Sequence, residues 1–277
     1  MKRAKRTERL LSVLTWGAAA LTGAVLLFLV GFILYKGVPH LKPSLFALRY
    51  TSENVSLLPA LISTVIMALL SLLIAVPLSV GAAVYLVEYA RRGNKLVRLV
   101  RITAETLAGI PSIIYGLFGM LFFGAFLGWG FSLLAGACTL AMMILPTVLR
   151  AGEEALMAVP DLWREGAFGL GAGRLRVVFR IVLPAAAPGL FAGVLLAVGR
   201  IVGETAALIY TAGTVAQIPT DIWMSARTLS VHLYALSSEG LRTNEGYATA
   251  VVLLLLVALI NAASHWAAQR IGRKSAQ

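Results

Sequence analysis

Residues 106–149 read TLAGIPSIIYGLFGMLFFGAFLGWGFSLLAGACTLAMMILPTVL, 44 consecutive positions without an Asp, Glu, Lys or Arg. The hydrocarbon layer of a bilayer takes about 20 apolar helical residues, so this run is too long for one span and right for two. The natural place to fold it back is Gly124-Ala125-Phe126-Leu127-Gly128-Trp129-Gly130. Three glycines free the backbone for a tight hairpin there, and a Trp suits the membrane–water boundary. Two antiparallel apolar helices joined in this way place the chain among all-α integral membrane proteins.

Working outward, charge-free runs at Leu10 to Tyr35 and Asn54 to Val87 supply the first and second spans, the latter containing Pro59 and Pro77. Pro188 to Ala212 supplies a fifth span and Gly246 to Gln269 a sixth. Only 13% of the 277 residues are charged, against about 25% in ordinary soluble domains. Too few polar groups remain to cover a water-facing surface, which makes lipid the solvent for most of the chain. The single Cys138 lies in an apolar run, excluding an internal disulfide framework, and no Walker-type phosphate loop is present.

The net charge of +12 is a topology signal and not a nucleic-acid footprint. With the N-terminus inside, 18 of the 24 Lys and Arg fall on inner segments: the N-terminal tail, residues 91–101, residues 150–180 and residues 270–274. Five fall outside (Lys36, Lys42, Arg49, Arg227 and Arg242), and Arg200 falls within a span. That asymmetry predicts both termini in the cytoplasm, with the first helix an uncleaved span rather than a signal peptide.

Two places break the membrane pattern. In the fifth span, Gly199-Arg200-Ile201-Val202-Gly203-Glu204-Thr205-Ala206 puts two charges four residues apart, on one face if the helix is continuous. Counted from Pro188, Arg200 lies about 18 Å into the span, near mid-membrane. A charge there is costly and must face protein or water. Either the pair pins helices together, or it belongs to an ion pathway, where a planar guanidinium fork suits an oxyanion and Glu204 holds Arg200 when the site is empty. Gly199 and Gly203 would admit a closely packed neighbouring helix.

The second break is the long inner segment Arg150 to Pro184. Pro160-Asp161 is a helix start with Asp161 as cap, and a basic, apolar stretch from Arg174 to Leu183 ends at Pro184. Residue chemistry leaves two readings open: docking of a soluble partner, or an amphipathic segment lying on the membrane.

This segment resembles the signature of binding-protein-dependent ABC importer permeases. The family writes Glu-Ala-Ala, three residues, Gly, nine residues, Ile, one residue, Leu-Pro; here stand Glu165-Gly166-Ala167, Gly171, Ile181 and Leu183-Pro184. Only Gly166 departs, a small-for-small change that loosens a helix by about 1 kcal/mol relative to Ala. The stretches Leu107-Ala108-Gly109-Ile110-Pro111-Ser112-Ile113-Ile114-Tyr115-Gly116-Leu117-Phe118-Gly119 and Gly199 to Ala206, followed by Leu208-Ile209-Tyr210-Thr211-Ala212, are similar to phosphate permeases of the PstA type.

The resemblance implies a type I ABC importer permease fold with six transmembrane helices and a cytoplasmic coupling helix, seated in a bacterial inner membrane. Residues 1–56 would form the tail, first helix and outer loop, 57–268 the permease domain, and 269–277 a cytoplasmic tail. It implies a PstC-type permease partner, two PstB-type ATP-binding subunits, a PstS-type extracytoplasmic phosphate-binding protein, and phosphate as cargo. Arg200 and Glu204 are the candidate pathway residues, while Glu165, Gly166, Ala167, Gly171, Ile181, Leu183 and Pro184 form the coupling loop. The chain itself is expected to hold no catalytic group, cofactor, metal or nucleic acid.

Three alternatives remain: a permease for molybdate or sulfate, an integral-membrane enzyme, and a signalling scaffold. The enzyme lacks a candidate acid–base or nucleophile set at membrane depth. His40, His232 and His265 show no ligand spacing, and Asn54-Val55-Ser56 is a weak glycosylation match. Pro77 is expected to bend the second span. The segment Gly213 to Glu245 reads equally as an interfacial helix or a solvated loop.

Overall fold

The computed structural model describes residues 2–91, 93–240 and 242–275, with the side chains of residues 2–10, Glu239, Ser264, His265 and residues 267–275 outside the described set. The terminal basic clusters, Arg92 and His265 therefore lie outside the described side chains. No strand occurs among the described residues.

Five helical stretches are long and apolar enough to cross a bilayer: Leu11–His40, Leu58–Tyr89, Leu133–Met157, Arg174–Gly203 and Thr243–Ala263. A sixth crossing is assembled from a bent pair, Lys95–Ala108 and Ser112–Phe126, set at 101°. The all-α, six-crossing expectation holds with that qualification. In chain order the helices are α1 (Lys2–Gly37), α2 (Leu58–Val84), α3 (Lys95–Ala108), α4 (Ser112–Gly119) and α5 (Leu133–Met157). Then follow α6 (Asp161–Gly169), α7 (Arg174–Val177), α8 (Leu183–Gly203), α9 (Ala206–Thr211), α10 (Leu229–Glu239) and α11 (Thr243–Ser275). Wider π turns prolong α2 at Tyr85–Tyr89 and α4 at Met120–Phe126, and join α7 to α8 at Val178–Val182.

The hairpin sits where the glycines place it. Gly128 (φ 71°) and Gly130 (φ 58°) take left-handed backbone, which costs glycine nothing and other residues about 1 kcal/mol or more. Helix persists through Phe126, so the turn is shorter than the seven residues expected. The beginning of the run differs: Thr106 to Ala108 end α3, an amphipathic helix that turns through Gly109-Ile110-Pro111 into α4. The Tyr115 hydroxyl donates to the Leu107 carbonyl at 2.8 Å, beside the Ile110 N–H that the same carbonyl accepts at 3.1 Å, and so ties α4 to the end of α3. Ser112–Phe126 spans only about 22 Å at 1.5 Å per residue, short of a ~30 Å hydrocarbon layer.

Helix α5 is the centre of the bundle, with two thirds of its most apolar stretch buried. Lipid tails are as apolar as leucine, so helix association here rests on close packing and polar contacts more than on exclusion of water. The sequence supplies small residues for it. Gly189 and Gly193 of α8 lie on Ala155 and Ala151 of α5, and a methyl added at Gly193 would come within 2.4 Å of the Ala151 Cβ. Gly116 and Gly119 of α4 meet Ala207 and Thr211 of α9 in the same way. Ser79 of α2 donates to the Leu145 carbonyl of α5 at 3.1 Å.

Three expectations change. The fifth crossing starts well before Pro188: α7, the π turn and α8 run together from Arg174, and Pro184 sits in the first turn of α8 instead of ending a segment. Pro184 follows directly on the π turn, where the regular i→i−4 ladder is already interrupted. The same crossing is broken at Glu204, whose backbone is extended, before α9 begins. Asp161 is the first helical residue of α6 and not its cap; Pro160 holds the cap position and Asp161 turns its carboxylate to Arg164.

Candidate functional site

Two functional regions were expected, and the structure places them at opposite ends of the fifth crossing. At the first, α6 is a two-and-a-half-turn helix held against the ends of α2 and α5. Ala167 is buried in an apolar cluster with Leu86, Leu156, Val159, Val177 and Val182. The helix stops at a paired-bond C-terminal motif: the Gly171 N–H donates to the Phe168 carbonyl at 2.9 Å and the Ala172 N–H to the Ala167 carbonyl at 3.0 Å. That geometry requires left-handed backbone at Gly171 (φ 81°), which explains a glycine at that position.

The remaining loop residues divide between surface and core. Glu165 and Gly166 are exposed, Ile181 and Leu183 pack against the buried cluster, and Pro184 is exposed. Open space surrounds the position a Gly166 methyl would take. Close packing therefore does not explain this departure from the family pattern. Leu162, Trp163, Phe168, Leu170 and Leu175 are exposed around α6, Leu170 by 91%. A bare apolar surface of this kind on a short helix marks a protein- or membrane-contact site.

The sequence reading missed the residue that anchors this helix. Arg164 engages all five of its N–H donors. Nε and Nη2 hold the Glu88 carboxylate as a fork, the shortest contact being 2.7 Å. Nη1 and Nη2 donate to the Val159 and Leu156 carbonyls at 2.6 and 2.8 Å, and Nη1 also meets Asp161 at 3.2 Å. Both Arg164 and Glu88 are largely shielded from solvent. The only hint in the sequence is Glu88 itself, a carboxylate that closes an otherwise charge-free span. Beside the pair opens a groove of 980 Å³ whose charged lining includes Arg91, Arg98, Arg101 and Glu105.

The second region is the Arg200–Glu204 segment. The two side chains do not pair. Helix α8 ends at Gly203, and the Glu204 carboxylate accepts the Ala207 N–H at 3.0 Å, capping α9. Each charge instead sits at the helix end that favours it: the cation in the last turn of α8 and the anion at the start of α9. Ser230 of α10 donates to the Val202 carbonyl, closing another group freed by the break. Arg200 lies in the last turn of α8, about 26 Å along that helix from Leu183.

Arg200 is half-buried, and among the described residues no carboxylate pairs with it and no carbonyl accepts from it. Its charge reaches the hydroxyl of Tyr115 on α4. Gly199 and Gly203 face open space and not a helix of this chain. The arrangement presents a cation without a counter-ion on a smooth, accessible edge of α8.

The histidine and loop expectations resolve differently. Residues 229–239 form the packed helix α10, so the segment after Gly213 is not simply a solvated loop. His232 is fully buried edge-on to the Tyr50 ring, and burial with the neighbouring Arg227 pushes its pKa down to about 4. It is thus neutral near pH 7. No group of three or more His, Cys, Asp or Glu that could hold a metal occurs among the described residues. The Asn54 side chain is committed to the backbone of Arg49, Thr51 and Ser56.

Comparison with known proteins bears on both regions. Residues 75–277 match the family described as "Binding-protein-dependent transport system inner membrane component". A probable ABC transporter permease, YqgI of Bacillus subtilis, is 31% identical over 98% of both chains. The phosphate transport system permease PstA 1 of Mycobacterium tuberculosis is 37% identical over 74% of this chain and 68% of its own. Among solved structures, a bacterial ABC transporter that imports the acidic polysaccharide alginate superposes with a TM-score of 0.66 at 19% identity, covering 96% of this chain and 99% of that one. The bent third crossing, the α6 loop and the small-residue seams are thus built on a shared importer fold, and the chain belongs to the family of inner-membrane permease components of binding-protein-dependent ABC importers.

Proposed function

We propose that this permease carries inorganic phosphate into the cytoplasm, and that residues 57–268 form its transporting core. The observation that carries the reading is Arg200, a half-buried guanidinium on the edge of α8 with no counter-ion among the described residues. An unpaired cation in a low-dielectric setting is stabilised when an oxyanion arrives, and its planar fork matches phosphate oxygens. The 37% identity to a phosphate permease supports the choice of cargo.

In this reading the α6 face is cytoplasmic, as the distribution of Lys and Arg indicates, and both termini lie on that side. A PstC-type permease completes the pathway along the open edge of α8. Two PstB-type ATPases bind the α6 surfaces, and a PstS-type protein delivers phosphate from outside. ATP-driven closure of the ATPases draws the coupling helices together and shifts the permease pair from inward- to outward-facing. Glu204 shapes the break that presents Arg200 and does not neutralise it.

The test is reconstitution of the four-component complex in liposomes, measuring ATP-dependent uptake of labelled phosphate with sulfate and molybdate as competitors. Uptake that ignores the competitors and falls about 100-fold in Arg200→Gln, with assembly intact, supports the reading. Uptake that survives the substitution removes Arg200 from the pathway. Transport of sulfate or molybdate in place of phosphate keeps the importer and overturns the cargo.

A further inference from the structure

We propose that Arg164 and Glu88 form the positioning clamp that transmits motion of α6 to the membrane helices; the proposal rests on the reading of α6 as the ATPase-coupling helix. A coupling element must do more than dock. It must be stiffly joined to the helices it moves, because a short helix packed only through Ala167 could roll or peel away under load. The joint is made by one side chain. Arg164 belongs to α6, its Glu88 partner to the π turn that ends the second crossing, and its two carbonyl partners to the end of α5.

The contact joins three segments. Leu156 lies in the last turn of α5 and Val159 just beyond it, and Arg164 donates to both carbonyls, that of Leu156 also accepting the Val159 N–H. Glu88 lies 76 residues away in sequence. The bidentate fork resists twisting as well as separation, which a point-charge lysine does not. A second contact brackets α6 from its other side: the Arg174 guanidinium lies 5.1 Å from the ring centre of Tyr89, the neighbour of Glu88. The π turn therefore grips both α6 itself and the segment that follows it. Displacement of α6 moves the ends of the second crossing and of α5 as one body, and α5 carries α8 with Arg200 through the Gly189 and Gly193 seam.

The experiment compares the reconstituted wild-type complex with Glu88→Gln, Glu88→Asp, Arg164→Lys and Leu170→Glu. Co-purification reports assembly, and phosphate uptake is measured against ATP hydrolysed. The expected result is that Glu88→Gln and Arg164→Lys assemble and hydrolyse ATP within about twofold of wild type, while uptake per ATP falls about tenfold, within the range of ordinary coupling free energies. Glu88→Asp, which keeps a carboxylate for the guanidinium, retains more uptake per ATP than Glu88→Gln. Unchanged uptake per ATP in both Glu88→Gln and Arg164→Lys overturns the clamp. So does failure of both to assemble, which assigns the residues to folding alone. Leu170→Glu separates the two layers: if the ATPase stays bound in that variant, the coupling reading itself fails. If the ATPase is lost there while Glu88→Gln remains fully coupled, only the clamp fails.

Discussion

Arg164 and Arg200 are both shielded guanidiniums in a protein that excludes charge from its interior, yet their surroundings are opposite. Arg164 has every donor occupied within its own chain. Among the described residues Arg200 has none occupied, and the acid four positions on, Glu204, is spent on the backbone of α9. A saturated arginine has no remaining capacity for a ligand and acts as a joint. An unsaturated one keeps its capacity for something that comes from outside the chain. Burial alone would have put them in one class; the hydrogen-bond inventory separates them.

The comparison can be broken by measuring stability and transport on the same variants. Arg164→Ala leaves Glu88 buried and unpaired, and should cost about 3–5 kcal/mol, seen as a large drop in the thermal midpoint of the purified permease complex. A shift of less than about 1 kcal/mol would mean that the joint is not under tension. Gly193→Val drives a branched side chain into Ala151 and should cost about 1–3 kcal/mol, with reduced uptake because α8 no longer seats on α5. Gly171→Ala forces an ordinary residue into left-handed backbone, and should cost about 1 kcal/mol while weakening ATPase co-purification. Arg200→Met should change stability by less than about 0.5 kcal/mol, since no internal bond is lost, yet abolish uptake. A pronounced loss of stability in that last variant would show that Arg200 is a joint after all.

Much of this was legible before the fold was known, because lipid makes charge placement strict. Charge-free runs located the crossings, and the three glycines at 124–130 located the hairpin. The signature loop, Gly171 included, was legible through its spacing, while the left-handed backbone at Gly171 was seen only in the fold. The misreadings have physical causes. The charge-free run that begins at Thr106 hid the end of α3, since the uncharged last turn of an amphipathic helix reads like the start of a span. The four-residue spacing of Arg200 and Glu204 implied a shared face only if the helix continued. The Glu204 carboxylate instead satisfied the first N–H groups of a new helix, and Gly203-Glu204-Thr205 carried that signal as a glycine followed by capping residues. Arg164 and Glu88 are too far apart in sequence for any local pattern to join them.

The placement of α1 has a consequence for how the protein is made. Its apolar stretch is wholly unburied within the chain, and its contacts gather near its end, where Gly37 lies against Tyr247 and Val251 of α11 and Phe32 meets the Tyr247 ring. Synthesis runs from α1 towards α11, so α1 leaves the ribosome well before the helix that holds it. Until residues beyond 243 have been inserted, α1 lacks the neighbour against which Gly37 and Phe32 pack, and its seat forms only then.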